Sequence, residues 1–147
     1  MNTPSTNQSD STAAPAQPLP QIEVVAAVCQ QGSAVLATQR GYGPWKGWWE
    51  FPGGKIKNGE SHHQALAREL KEELDADIQI LRLLTTVQYT YPDFHLTMHC
   101  YLCHLTTPSF TLNEHLAARW LTADQLPTVQ WLPADQELVQ NLFSKYL

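Results

Sequence analysis

A chain of 147 residues is long enough for one domain that buries about two thirds of its surface. Its net charge of −5 offers no basic field to nucleic acid or an anionic membrane, so a polyanionic ligand must be met locally, by metal and a few lysines or arginines. No stretch approaches the roughly 20 apolar residues of a membrane span, and Cys29, Cys100 and Cys103 fit reduced thiols in a cytoplasm.

Residues 1–20 are rich in Ser, Thr, Ala, Pro and Gln. They lack the basic start and apolar run of a signal peptide and read as a disordered tail ahead of a domain over 21–147. The sequon Asn7-Gln8-Ser9 is a chance match without export. Ile22 to Cys29, β-branched and apolar, predicts a buried strand, and Ala34 to Arg40 a second after the Gln30–Ser33 turn. Residues 41–48 form a Gly/Pro/aromatic loop, expected to be mobile and surface-exposed. Trp49 to Gly54 is a short strand that breaks at Pro52 and two glycines.

Asn58-Gly59 marks a turn, and Ser61 with Gln64 fits a capping box that opens a helix. On that helix Glu69, Glu72 and Glu73 share an arc of roughly 100°, while Leu66, Ala67, Leu70 and Leu74 occupy an adjoining apolar arc. A solvated acidic face is the plain reading of such a trio. Carboxylates this close repel, however, and hard oxygen donors suit Mg²⁺ or Mn²⁺ between them.

Ile78 to Tyr91 and Phe94 to Leu105 predict a hairpin around Pro92-Asp93. In its second strand Leu96, Met98, Cys100 and Leu102 share one face, and Thr97, His99, Tyr101 and Cys103 the other. The Cys100–His104 run matches a haem-attachment pattern, but its cysteines point to opposite faces, which argues against haem. Zinc is set aside because no second cysteine or histidine pair has suitable spacing. His95, His99 and His104 are read as sheet positions. His115 to Leu121 predicts a short strand, Thr122 caps a short helical turn, and residues 126–133 are irregular. Pro133 opens a last helix with an apolar stripe of Leu138, Val139, Leu142, Phe143 and Tyr146. These elements make an α/β or α+β fold.

The run Gly54, five residues, Glu60, seven residues, then Arg68-Glu69-Leu70-Lys71-Glu72-Glu73 resembles the Nudix box. Asp75 stands where that pattern has glycine, and Ala76 where it has a larger aliphatic. The glycine ends the helix in a left-handed conformation that Asp tolerates at modest cost. Trp49 to Ile56, Tyr91-Pro92-Asp93, Glu114 ahead of Trp120, and Pro133-Ala134-Asp135 add a looser likeness to the MutT group, from about residue 21 onward.

The resemblance implies an α/β/α sandwich on a mixed sheet, with the box as loop-helix-loop. It also implies a Mg²⁺- or Mn²⁺-dependent pyrophosphohydrolase that cleaves nucleoside triphosphates to monophosphate and pyrophosphate. Glu69, Glu72, Glu73 and the Gly53 carbonyl would hold metal. Glu114 would add a ligand or act as base, with Glu69 as rival base, and Arg68 would brace the cluster through Glu60 or Glu72. Arg40 and Lys55 would meet phosphate, Asp135 the base edge, and Tyr91 or Trp131 the base face. The expected substrates are small oxidised or modified nucleotides such as 8-oxo-dGTP or a modified dCTP. The partner set has no nucleic acid and no membrane, and the chain is a monomer or homodimer. Other nucleoside diphosphate derivatives, or nucleotide sensing without turnover, are the alternatives.

Overall fold

The computed structural model describes residues 18–147; the tail expected over 1–20 and its sequon fall almost wholly outside them. A mixed sheet runs β3-β2-β1-β6-β5, with β4 beside β1 and β7 beside β2. Its strands are β1 (Gln21–Gln31), β2 (Ala34–Gln39), β3 (Trp49–Glu50), β4 (Gly53–Lys55), β5 (Ile78–Thr90), β6 (His95–Leu105) and β7 (Ala117–Leu121). β1 and β6 are parallel, in register from Gln21 opposite His95 to Cys29 opposite Cys103, while β5 and β6 form the expected antiparallel hairpin.

The period-2 pattern of β1 splits the core in two. Val25, Ala27 and Cys29 pack under helix α1 (His62–Leu74) with Leu66, Leu70 and Leu74. Ala26 and Val28 face the other way, toward helix α2 (Pro133–Val139) with Leu138 and Leu142. The result is the α/β/α sandwich. Cys100 and Cys103 lie on opposite faces, and all three cysteines are buried thiols. Burial pushes the Cys29 thiol up to about 12.

Three expectations need correction. The strand expected over 49–54 is two pieces, β3 on β2 and β4 on β1. Between them Pro52 has no N–H to give, although its carbonyl accepts from Ala27, and the Phe51 N–H is diverted to Asp135. The last helix stops at Val139, and a wider turn over Leu142–Tyr146 keeps Leu142 buried. Residues 41–48, expected to lie loose on the surface, fold back on themselves. The Gly47 N–H donates to the Arg40 carbonyl at 2.8 Å, and Trp45 packs edge-on against Trp48 and Tyr91.

Candidate active site

The box helix begins and ends as its residues dictate. Ser61 Oγ accepts the Gln64 N–H at 3.1 Å and Gln64 Oε1 accepts the Ser61 N–H at 2.9 Å, closing the capping box. At the far end Asp75 takes the left-handed conformation, φ 51°, and its N–H caps the Lys71 carbonyl at 3.0 Å. Between these ends, the buried leucines hold one face against β1 and leave the glutamates beside β4.

There the glutamates divide. Glu73 is buried and Glu72 turns outward. Burial raises the Glu73 carboxyl well above the usual range, and the hydrogen bond with Glu69 and its charge raise it further. The Gly53 N–H points at Glu73 Oε1, 3.4 Å away. β4 lies so close that a Cβ on Gly54 would sit 2.5 Å from the Glu69 carboxyl carbon, and one on Gly53 would strike the Val25 carbonyl. Gly53 is therefore demanded by space, whereas a side chain at Gly54 would displace the Glu69 carboxyl.

Arg68 supplies counter-charge. It reaches Glu60 at 2.6 Å, Glu69 at 2.8 Å, Glu72 at 3.2 Å and the Lys55 carbonyl at 3.0 Å. The Glu69 contact is additional to those expected. Hydrogen bonding from Arg68, then from the Lys57 N–H, brings the Glu60 carboxyl down to about 2. One guanidinium cannot balance so many carboxylates. The surplus charge, the crowded Glu69–Glu73 pair and the all-oxygen donor set fit a hard divalent cation.

A cavity of about 560 Å³ opens from this acidic face and runs to the α2 end of the sheet. Of the expected site residues, Gly53, Glu69, Glu72, Glu73, Glu114, Arg40, Lys55, Tyr91 and Asp135 all line it, while Arg68 stands behind the glutamates it pairs with. Glu114 and Lys55 are exposed. Asp135 is buried, its Oδ1 accepting the Phe51 N–H at 2.9 Å. Burial first, then the charge of Glu50, push the Asp135 carboxyl up to about 8. Tyr91 packs on Phe94 and accepts the Ala134 N–H through its hydroxyl. Trp131 is core instead: it stacks on Phe51 and donates to the Leu126 carbonyl.

Two residues of the site were not singled out from the sequence. Glu50 binds Arg40 at 2.7 Å through one oxygen and His115 Nε2 at 3.2 Å through the other. Burial alone would raise Glu50, but hydrogen bonds from His115 and Arg40 outweigh it and hold the carboxyl below its ordinary value. The His115 side chain is buried, 3.8 Å from Glu73, so it turns inward and β7 starts at Ala117 rather than at 115. Glu50 lies within the Trp49–Ile56 likeness, whereas nothing local marks His115.

A NUDIX domain model matches residues 19–142. The chain is 42% identical over 79 residues to an 8-oxo-dGTP diphosphatase of Proteus vulgaris, covering 51% of this chain and 68% of that one. It is 31% identical over 132 residues to a CTP pyrophosphohydrolase of Escherichia coli, covering 81% and 89%. Its fold matches a MutT NUDIX hydrolase structure from Burkholderia pseudomallei at a TM-score of 0.76 and 24% identity, over 83% of this chain and 98% of that one. With the capped, glutamate-bearing helix set against the glycines of β4, these matches make the chain a member of the NUDIX family, a pyrophosphohydrolase of the MutT-like kind.

Proposed function

We propose that the chain hydrolyses oxidised or otherwise modified (deoxy)nucleoside triphosphates, of the 8-oxo-dGTP or modified dCTP type, to monophosphate and pyrophosphate, clearing damaged nucleotides from the pool used for DNA synthesis. The observation that carries this reading is the single cavity joining the box glutamates to buried Asp135. Its volume lies in the range of small-molecule and cofactor sites. The relative named for 8-oxo-dGTP supports an oxidised substrate, and the one named for CTP supports nucleoside triphosphates more broadly.

Glu69, Glu72, Glu73, Glu114 and the Gly53 carbonyl would hold Mg²⁺ or Mn²⁺. Bound there, the ion supplies charge neutralisation for the phosphate oxygens and a lowered pKa for attacking water. The chain's own groups do the rest. Arg40, aimed by Glu50, and Lys55 draw the phosphate chain to the acidic end. Glu69 and Glu114 are the carboxylates able to take the proton from water, and Arg68 positions Glu69 and Glu72. At the other end Tyr91, Phe94 and Trp45 wall the base and exclude water. Asp135 meets the base edge. Below its raised pKa it is a neutral acid, with one oxygen taken by the Phe51 N–H and the other able to donate to a guanine- or cytosine-type acceptor.

A screen of normal and modified triphosphates, ADP-ribose, nucleotide sugars and dinucleotides for monophosphate products tests this. The expected result is turnover of modified triphosphates, with a loss of at least ~100-fold in Glu72→Gln and Glu73→Gln. Turnover confined to the diphosphate derivatives would move the substrate class. Tight nucleotide binding without turnover on any of them would make the chain a sensor.

A further inference from the structure

On the α1 side of the sheet, away from the cavity, three residues far apart in sequence come together. Glu23 of β1, His62 of the first turn of α1 and His99 of β6 each bring one ligand atom within 4.8 Å of the other two. Among the described residues no other set of three His, Cys, Asp or Glu is this tight. His99 Nε2 is 2.6 Å from Glu23 Oε2, and the two imidazoles stack with centroids 4.1 Å apart.

The other ring nitrogens are occupied. His99 Nδ1 is 3.1 Å from the Thr86 hydroxyl, and His62 Nδ1 is 3.0 Å from the Tyr101 hydroxyl. Metal-ligating histidines have one nitrogen fixed by an oxygen partner in this way, and the remaining nitrogen of His99 faces the Glu23 carboxylate that would share the ion with it. We propose that Glu23, His62 and His99 form a second metal site, specific for a borderline cation such as Zn²⁺ and independent of the acidic face.

Two imidazoles and one carboxylate favour zinc over magnesium, which binds all-oxygen sets and keeps several waters. Bonds of 2.0–2.2 Å in a tetrahedron place ligand atoms about 3.4 Å apart, so Glu23 Oε2 and His99 Nε2, 2.6 Å apart here, open slightly to admit the ion while His62 adjusts toward them. Exposed Glu23 has the rotamer freedom for that movement. Three protein ligands leave the fourth position to water. The expectation against zinc drawn from sequence considered only closely spaced pairs, whereas these ligands come from three elements. A cation here ties the start of α1 to β1 and β6, seven residues and about 10 Å along the helix from Glu69.

The test uses the full chain in excess Mg²⁺, which occupies the acidic face, and titrates Zn²⁺ by calorimetry and Co²⁺ by visible absorption. Expected are one Zn²⁺ per chain at micromolar or tighter Kd, a tetrahedral Co²⁺ spectrum and a melting temperature raised by several degrees. His62→Gln and His99→Gln should each weaken Zn²⁺ at least ~50-fold, while Glu69→Gln leaves it unchanged. Circular dichroism and hydrolysis in Mg²⁺ verify that the histidine variants remain folded. Absence of binding at 100 µM, loss of Zn²⁺ to Mg²⁺ competition, or unchanged affinity in both folded histidine variants would overturn the site.

Discussion

Asp135 shows what one buried carboxyl does to a pocket. Its folded-state pKa is raised from 3.8 to about 8, so the folded chain holds a proton that the unfolded chain releases above about pH 4. Stability from this group is full below pH 4 and is lost as pH rises toward 8. Asp135→Asn cannot titrate, so its melting temperature should gain on the wild type by more than about 3 °C between pH 5 and pH 9. A constant gap across that range would contradict the assignment. Asp135 was legible as a candidate because Pro133-Ala134-Asp135 resembles the MutT pattern, while its place at a helix start offered the plainer reading. Its burial and its bond to Phe51 were not, because they join residues 84 positions apart. Glu50 and His115 were missed for the same reason: β2 must pair with both β3 and β7 before the two meet.

The α1 helix carries its start and stop signals in its own sequence, which is why both could be read. The two ends should respond in opposite directions. Ser61→Ala removes the capping box and should cost about 1 kcal/mol, lowering the melting temperature by roughly 2–4 °C. Asp75→Gly relieves the left-handed strain and should raise it by about 2 °C, although the exposed Lys71–Asp75 pair is lost. Thermal melts of the two variants check both signs. The split of the 49–54 segment and the early stop of α2 were less legible, because each depends on what the other strand or face offers. Trp49 pairs with Gln39 and Gly53 with Ala26, and no local pattern announces a change of partner.

At the scale of the molecule, the alternation of β1 assigns each face a task. One face seats α1, and with it the glutamates; the other seats α2 and the aromatic wall around Asp135. The cavity crosses the gap where β1 is flanked by β4 instead of a full-length strand, so the acidic end and the Asp135 end meet there. The box spacing made the acidic end readable from the sequence; at the other end the likeness named Asp135 and Tyr91, and the burial of Asp135 emerged only with the fold. The metal dependence of the whole can be checked by removal: chelation with EDTA should abolish turnover, and readdition of Mg²⁺ or Mn²⁺ should restore it.

The most direct measurement is the phosphorus products formed from a modified deoxynucleoside triphosphate, resolved by ³¹P NMR with and without the Glu73→Gln change. The geometry predicts equal amounts of monophosphate and pyrophosphate from the wild type and at least ~100-fold less from the variant. Orthophosphate with nucleoside diphosphate, or full turnover in Glu73→Gln, would contradict it.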